Sequence, residues 1–247
     1  GAGVVEAGRG SITLGTGGQI TVVSSRPQVD PALRLNKFCH AVPNRWYTMG
    51  AILNGGIALR WCRDVIDPEN PLAYSDLLAR AGQVPPGAEG LFFLPYLEGE
   101  RTPHMDPQAT GAFVGLTTRH TQAHMTRAVL EGVAYAFRDC LQALQAAGPV
   151  PDHFLIGGGG AQGALWRHIL ANVLGVSLQT IEGSEHTAVG AAMLGGLGAN
   201  LFFDLSEAVA RVVRYGSTEM PEFGAQATYA ELHTRFQALY PALRAVR

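Results

Sequence analysis

The chain has 247 residues, of which 47% are hydrophobic and 15% are charged, and its formal net charge is -2. A chain of this length and composition buries a hydrophobic core of its own, which predicts one large or two small globular domains and excludes a disordered chain. The near-neutral charge argues against a nucleic-acid-binding protein, because such proteins depend on clustered basic side chains.

The cysteines and the apolar runs indicate the compartment. Cys39, Cys62 and Cys140 are odd in number and fit no metal-ligand spacing. Such a set, without a signal peptide, predicts reduced thiols in a cytoplasmic protein. The longest apolar run, from Ala188 to Ala199, is shorter than the roughly 20 residues that a membrane span needs. Because the run is rich in glycine and alanine, it predicts a tightly packed internal helix.

The first third of the chain predicts strands followed by two helices. Residues 10–24 contain two β-type runs joined at glycines, which is typical of a hairpin. Apolar residues recur with helical spacing between Ile52 and Ile66. The predicted elements are, in order, the hairpin at 10–24, strands at 38–42 and 46–49 around a Pro43-Asn44 turn, and helices at 52–66 and 72–81.

The rest of the chain alternates strands and helices after an irregular stretch at 85–110 that is rich in proline and glycine. Thr121 is a suitable N-cap for a long helix with one buried face that ends near Gly148. The later predicted elements are a strand at 152–156, a helix at 165–174, a strand at 176–181, a helix from 188, a helix opened by a capping box at Asp204 and Glu207, and a helix at 226–243. This order predicts an α/β domain over residues 1–247, with a mixed β-sheet flanked by helices.

Three glycine clusters lie at predicted strand ends or helix starts. The first, Gly15-Thr16-Gly17, is at the hairpin turn. Glycines allow backbone N–H groups to approach an anion closely, and Thr16 adds a hydroxyl donor. A turn that only requires positive φ angles explains this cluster equally well.

The second cluster, Gly55-Gly56, lies near the start of a predicted helix. The positive end of that helix would face a phosphate or ribose, although glycines here also permit close packing. The third cluster, Gly157 to Gly160, joins a strand to a helix, which is the usual place where an α/β sheet meets a nucleotide. A flexible connector is the alternative, but four glycines cost more backbone entropy than a connector requires.

The sequence contains no Gly-x-x-x-x-Gly-Lys-Ser/Thr motif, and Lys37 is its only lysine. If such a protein handles ATP, it uses backbone amides, hydroxyls, helix ends and Mg²⁺ in place of a P-loop lysine. The composition therefore favours an actin-like nucleotide fold over P-loop NTPases and protein kinases.

Two further groups of polar side chains are weaker candidates. His120 and His124 have a spacing that suits one metal ion, but no third ligand accompanies them, so hydrogen-bonded or solvated histidines are the favoured interpretation. Glu98 and Glu100, beside Arg101, suit a local ion-pair network about as well as acid–base catalysis. No Gly-x-Ser-x-Gly elbow or cysteine–histidine signature supports a hydrolase.

Two longer motifs carry a family resemblance. From Gly111 to Glu131 the sequence reads Gly-x-Phe-x-Gly-Leu, seven residues, and then His-Met-x-x-Ala-Val-Leu-Glu. Pro95 to Pro107 contains Gly-Glu-Arg-Thr-Pro-His. With these motifs, nearly the whole chain resembles the C-terminal domain of the FGGY carbohydrate kinases, and within that family the xylulose kinase branch.

The resemblance implies an actin/hexokinase-like (ribonuclease H-like) ATPase fold that binds ATP, with Mg²⁺, between two domains. It assigns Gly15, Thr16 and Gly17 to the loop that meets the β- and γ-phosphates, and Gly56 to the nucleotide surface. The adenosine-binding loop would comprise Gly159, Gly160, Ala161 and Ala164.

The implied reaction transfers the ATP γ-phosphoryl group to the 5-hydroxyl of D-xylulose. Kinases of ribulose, glycerol or gluconate, and a non-catalytic nucleotide-binding module, are the alternatives. The family's catalytic aspartate and sugar-binding N-terminal domain would precede Gly1, so we expect this chain to be the nucleotide-binding half and inactive alone. The implied partner is a small-molecule sugar, with neither nucleic acid nor membrane, and the resemblance allows a homodimer.

Three residues depart from the family's pattern around the third glycine cluster. Gly163, His168 and Asn172 stand where the family has Ser, Gln and Asp. The resemblance therefore does not assign the residues that would form hydrogen bonds with the adenine.

Overall fold

The structure is a computed structural model that describes residues 2–183 and 185–246. Its strands are β1 (Gly10–Leu14), β2 (Gly18–Ser24), β3 (Asn36–Cys39), β4 (Trp46–Ile52), β5 (Phe92–Leu94), β6 (Ala112–Val114), β7 (His153–Gly157), β8 (Ser177–Ile181) and β9 (Tyr215–Glu219). Its helices are α1 (Gly56–Ile66), α2 (Tyr74–Ala81), α3 (Gln122–Ala147), α4 (Ala164–Leu174), α5 (His186–Gly198), α6 (Leu205–Val212) and α7 (Phe223–Arg244).

A mixed seven-stranded sheet forms the centre of the domain, in the order β3-β4-β2-β1-β7-β8-β9. β1 pairs antiparallel with β2 and parallel with β7, so it joins an antiparallel half to a parallel half. In this register Thr13 lies beside Gly157. The turn after β1 and the loop after β7 therefore emerge side by side at one edge of the sheet, where ligands of α/β folds bind.

The long helix α3 carries the main hydrophobic core. Its apolar side chains at spacings of three and four residues are buried, as their periodicity predicts. The prediction of a single buried face is wrong, because every residue from Thr126 to Phe137 is buried. Thr121 caps its start together with His124, also as predicted. Helix α4 packs against α3, and the buried indole of Trp166 donates from Nε1 to the carbonyl oxygen of Leu130 at 3.1 Å. The core thus fixes α4 and the loop that precedes it.

A buried charged cluster ties α3 to α7 and to the turn before β5. Both carboxylate oxygens of Glu131 accept from the Gly87 N–H, at 3.0 and 3.1 Å. The guanidinium of Arg127 donates to Glu131 at 2.7 Å and to the hydroxyl of Tyr229 at 2.7 Å. Because each charge is buried and paired, loss of one partner would leave the other uncompensated.

Several element boundaries differ from those that the sequence predicts. The irregular stretch at 85–110 contains β5, which pairs with β6. The strand predicted at 46–49 extends to Ile52, and the helix predicted from that residue begins at Gly56. β9 has no counterpart in the prediction, because this edge strand is polar, with the sequence Tyr-Gly-Ser-Thr-Glu, and lacks apolar alternation.

The prediction of a tightly packed internal helix from Ala188 is wrong. Helix α5 is largely exposed, and Met193 is its one buried residue within the described part of the helix. Apolar character all around a helix predicts burial but not which side is covered, and here Met193 packs with Val23 and Leu155 on one face of the sheet. No helix within residues 2–183 and 185–246 has the length and apolar character to cross a membrane.

Two helical glycines provide a test of this packing. A Cβ at Gly132 on α3 would overlap the carbonyl oxygen of Phe93, so Gly132→Ala is expected to lower the free energy of unfolding by about 1–3 kcal/mol. Gly195 on α5 has no neighbour within 4 Å, so Gly195→Ala should raise it by about 0.5–1 kcal/mol. Urea unfolding of both variants measures the difference, and equal effects would contradict the packing described for α3.

Candidate functional site

A cavity of about 510 Å³ lies between the turn after β1, the start of α1 and the loop after β7. Each of the three glycine clusters contributes to its wall. The predicted residues that line it are Gly15, Thr16, Gly56, Gly159 and Gly160. Much of the wall is therefore backbone, which lets N–H groups reach a ligand without intervening side chains.

The hairpin turn and the start of α1 contact each other through backbone alone. The N–H of Gly55 donates to the carbonyl oxygen of Thr16 at 2.9 Å, and the N–H of Gly56 donates to that of Gly15 at 2.7 Å. A Cβ on Gly55 would lie 2.5 Å from the carbonyl oxygen of Gly17. Any side chain at this contact would separate the turn from the helix, so the second cluster serves close packing.

The first cluster is not required for positive φ angles. Neither Gly15 nor Gly17 has positive φ, whereas Gly158 does. A Cβ on Gly17 would instead lie 2.9 Å from the carbonyl oxygens of Ile52 and Leu53. The explanation of this cluster as a turn that merely needs positive φ is therefore wrong, since the constraint at Gly17 is close approach of backbone.

The third cluster folds down onto the end of β1. Gly158 has φ +98°, and its Cβ would lie 2.5 Å from the carbonyl oxygen of Leu14. A Cβ on Gly160 would lie 2.5 Å from the side chain of Leu14 and 3.1 Å from that of Trp166. Gly159 has no neighbour within 4 Å and lines the open cavity. The loop thus combines two packing constraints with one exposed backbone segment.

Three predicted site residues lie outside the lining of this cavity. Gly17 is the last residue of the hairpin turn and packs against the carbonyl groups of Ile52 and Leu53, Ala161 is 5% exposed, and Ala164 is the first residue of α4. Their assignment to ligand binding stays a prediction.

The cavity also has side chains that the glycine patterns did not indicate. Arg60 lies one helical turn after Gly56 and is the one charged side chain among the described lining residues. Tyr74, at the start of α2, has the Arg63 guanidinium 4.5 Å from its ring centroid. Gln162 and Trp166 complete the polar and aromatic part of the wall, beside the apolar residues Ile57 and Leu59. The sequence offered a signal for Arg60 alone, since it lies four residues after Gly56 and therefore on the same face of the predicted helix.

The residues that depart from the family's pattern contact neighbouring elements. His168 Nδ1 lies 3.0 Å from Glu219 Oε1 on β9, and its Nε2 lies 3.1 Å from Asn172 Nδ2. Asn172 Oδ1 accepts from the N–H of Glu222 at 2.6 Å. Because the Asn172 amide must donate to His168 Nε2, the neutral histidine carries its proton on Nδ1 and donates to Glu219. These side chains fasten α4 to β9, and Gly163 packs against Leu78 of α2.

The two histidines near the start of α3 accept hydrogen bonds from backbone N–H groups, and His124 belongs to the cap of the helix. His124 Nδ1 accepts from the N–H of Thr121 at 3.3 Å, and His120 Nδ1 accepts from the N–H of Thr117 at 3.0 Å. Among the residues that the structure describes, no group of three or more His, Cys, Asp or Glu side chains could hold a metal ion. The hydrogen-bonded interpretation of both histidines is confirmed. All three cysteines are free thiols, as predicted.

The two neighbouring glutamates differ sharply. Glu98 is exposed, whereas Glu100 is 2% exposed. Glu100 Oε1 accepts from the N–H groups of Arg101 and Leu53, at 2.7 and 3.0 Å. Neither glutamate forms an ion pair among the described residues, so the ion-pair alternative is wrong: burial places Glu100 among backbone donors. Burial is the main cause that raises the pKa of Glu100 to about 7, and the negative charge of Asp139 acts in the same direction.

Comparison with known proteins places these features in a family context. The C-terminal domain model of the FGGY family of carbohydrate kinases matches residues 10–199. Xylulose kinase of Escherichia coli is 37% identical over 244 residues, which are 98% of this chain and 50% of that protein. A gluconokinase of Bacillus licheniformis is 37% identical over 211 residues, 79% of this chain and 40% of that protein. The chain thus spans about half the length of the xylulose kinases it matches.

Solved structures show the same fold. Xylulose kinase from Rhodospirillum rubrum has a TM-score of 0.89 and 35% identity, over 99% of this chain and 49% of that one. Gluconate kinase from Lactobacillus acidophilus has a TM-score of 0.88 and 28% identity, over 98% of this chain and 49% of that one. The predicted actin/hexokinase-like fold with a mixed sheet flanked by helices is confirmed.

The raised pKa of Glu100 predicts a specific pH dependence of stability. In the unfolded chain this carboxyl ionises near its ordinary pKa of 4.5, and in the folded protein near 7, so the folded state binds the extra proton between those values. Its stability therefore falls as pH rises through this window, by up to about 3 kcal/mol, and levels off above it.

Urea unfolding at pH 5 and pH 8 measures this effect, with Glu100→Gln as the non-titrating reference. The wild type should lose stability relative to the variant at pH 8, because every other titrating group is common to both. Parallel pH profiles would show that Glu100 ionises at an ordinary pKa.

Proposed function

Because the chain belongs to the FGGY family of carbohydrate kinases, as its C-terminal domain, we propose that it is the nucleotide-binding half of a kinase that phosphorylates D-xylulose on its 5-hydroxyl group. The observation that carries the nucleotide site is the convergence of three glycine clusters on one cavity. The proposal for the sugar rests on the several xylulose kinases among the relatives and on the Gly-Glu-Arg-Thr-Pro-His stretch from Gly99 to His104.

The cavity suits the phosphates of ATP. Within the described residues, the N–H groups of Thr16 and Gly17 donate to no backbone carbonyl oxygen, so they are available to phosphate oxygens. The start of α1 at Gly56 adds the positive end of an 11-residue helix to the same wall. In this proposal Gly15, Thr16 and Gly17 hold the β- and γ-phosphates, and Arg60 supplies a positive charge nearby.

The loop after β7 would hold the adenosine. Gly159 presents its backbone to the cavity without a side chain, and Gly160 beside it also lines the wall. In this proposal Ala161 and Ala164 support that loop, and Tyr74 adds an aromatic surface on the opposite, α2 side. Mg²⁺ would enter bound to ATP, because no carboxylate is among the described residues that line the cavity.

This half would contribute positioning and electrostatic stabilisation to the reaction. Phosphoryl transfer depends mainly on these two effects, and backbone N–H groups fixed by packing need no reorganisation as charge develops on the transferred group. The residue that accepts the hydroxyl proton and the residues that bind the sugar would belong to an N-terminal half, since the matched relatives are about twice as long as this chain. We propose residues 1–247 as one nucleotide-binding domain that is inactive without that half.

The proposed setting follows from the same chemistry. Three free thiols suit the reducing cytoplasm, where ATP is abundant. A homodimer, which the family resemblance allows, stays a prediction.

Thr16→Val tests the phosphate site. The variant removes a hydroxyl that would contact a charged phosphate, and such hydrogen bonds contribute roughly 1.5–3 kcal/mol, so the dissociation constant of MgADP should rise by about tenfold or more. Isothermal titration calorimetry measures it. Thr218→Val, an equally exposed threonine on the remote strand β9, is the matched control and should bind as the wild type does. Equal affinity of all three proteins would remove Thr16 from the site.

The sugar is tested by ADP release from the full-length protein with D-xylulose, D-ribulose, glycerol and gluconate offered in parallel. A clear preference for D-xylulose is the expected result. Turnover of gluconate would keep the kinase and change its substrate, and the 37% identical gluconokinase makes this the leading alternative. Binding of MgADP with no turnover of any sugar would indicate a non-catalytic nucleotide-binding module.

A further inference from the structure

A segment after β5 runs alongside the end of β4 and is joined to it at successive positions. The N–H of Thr102 donates to the carbonyl oxygen of Ala51 at 3.0 Å, and the Thr102 hydroxyl accepts from the N–H of Ala51 at 3.3 Å. Further along, Glu100 Oε1 accepts from the N–H of Leu53 at 3.0 Å. At the last position, Asn54 Nδ2 donates to the carbonyl oxygen of Gly99 at 3.3 Å. The Gly99–Thr102 segment thus holds the chain from Ala51, near the end of β4, to Asn54, the residue before Gly55.

Glu100 is the one side-chain carboxyl group in this series, and it is enclosed. It is 2% exposed, and one of its oxygens, Oε2, has no hydrogen-bond partner among the described residues. The same holds for Oδ1 of the fully buried Asn54. A buried unpaired acceptor costs free energy, so the enclosed Oε2 is a cost of holding the two backbone N–H groups that donate to Oε1.

The residue that Glu100 holds is connected directly to the proposed phosphate site. The carbonyl oxygen of Leu53 is one of the two that a Cβ on Gly17 would meet at 2.9 Å. Two residues further on, the N–H of Gly55 donates to the carbonyl oxygen of Thr16 at 2.9 Å. A displacement of Leu53 would therefore disturb two of the contacts that fix the hairpin turn.

We propose that Glu100 is a positioning residue for phosphate binding: its buried carboxyl group fixes Leu53, and through the Leu53–Gly56 turn it fixes the Gly15–Gly17 loop. This inference rests on the proposed nucleotide site and adds to it a residue that does not line the cavity. Glu100 touches neither the nucleotide nor the sugar. The role requires an acceptor oxygen at the position of Oε1, because that atom accepts from the N–H groups of both Leu53 and Arg101.

A neutral side chain fulfils this role as well as a charged one. The burial that raises the pKa of Glu100 favours its protonated form, and glutamine has the same length and retains an acceptor oxygen. Asp139 on α3 and Arg101 on the same segment are the charged groups that act on Glu100, with opposite effects on its pKa. Aspartate, by contrast, keeps the acid but is one methylene too short to reach Leu53 in the same way.

The experiment compares MgADP affinity and steady-state kinetics of Glu100→Ala, Glu100→Asp and Glu100→Gln in the full-length protein. We expect the dissociation constant of MgADP and the KM for ATP to rise about tenfold or more in the alanine and aspartate variants, the loss that removal of a buried acceptor predicts. The glutamine variant should stay within threefold of wild type, and the KM for the sugar should be unchanged in all three. If the alanine variant does not fold, the aspartate and glutamine variants decide the question.

Glu131→Gln is the matched control, because Glu131 is an equally buried glutamate that also accepts from a backbone N–H, on α3 and outside the cavity lining. It should lose stability and keep its MgADP affinity. Wild-type affinity in Glu100→Ala or Glu100→Asp would overturn the inference and leave the nucleotide site intact. Equal weakening in Glu100→Gln would overturn it too, since the charge and not the acceptor would then matter. Failure of the wild type to bind MgADP would overturn the proposed function and this inference together.

Discussion

The site depends on a contact between two turns that excludes side chains. The hairpin turn at Gly15–Gly17 and the turn before α1 are so close that a Cβ at Gly17 or Gly55 would collide with a backbone carbonyl oxygen. Backbone hydrogen bonds join the two turns, and within residues 2–183 and 185–246 the amides of Thr16 and Gly17 donate to no backbone carbonyl oxygen. The rest of the domain serves to hold the two turns and the loop after β7 in register.

The central sheet provides that register, and the core behind it provides rigidity. β1 is shared between the antiparallel and parallel halves of the sheet, so its end is fixed from both sides. The loop after β7 is held against Leu14 of β1 and against Trp166, whose indole is anchored to α3. The amides that would face phosphate are therefore fixed before a ligand arrives, which is the condition under which backbone dipoles stabilise developing charge.

The sequence predicted the backbone parts of the candidate site and the Thr16 hydroxyl, and it missed the other side chains. Glycine clusters at strand ends are a local signal, and they located the three turns that form the cavity. Arg60, Tyr74 and Trp166 reach the cavity only because α1, α2 and α4 pack around it, and no local pattern reports that packing. The exposure of α5 was unpredictable for a related reason, since a helix that is apolar on every side carries no information about which side is covered.

The residues of the cavity wall also indicate which part of the proposed reaction this half would supply. The described lining residues provide backbone amides, one hydroxyl, one guanidinium and aromatic surface, but no carboxylate that could remove a proton from a substrate. In the proposed function such a wall would bind the nucleotide, and the choice of sugar would belong to the other half. Xylulose and gluconate kinases accordingly retain this fold although their names give different substrates. Within this half, kinases would then differ in how rigidly the Gly15–Gly17 loop is held. Glu100 lies behind the cavity wall, where it would affect the rigidity of that loop without contacting either substrate.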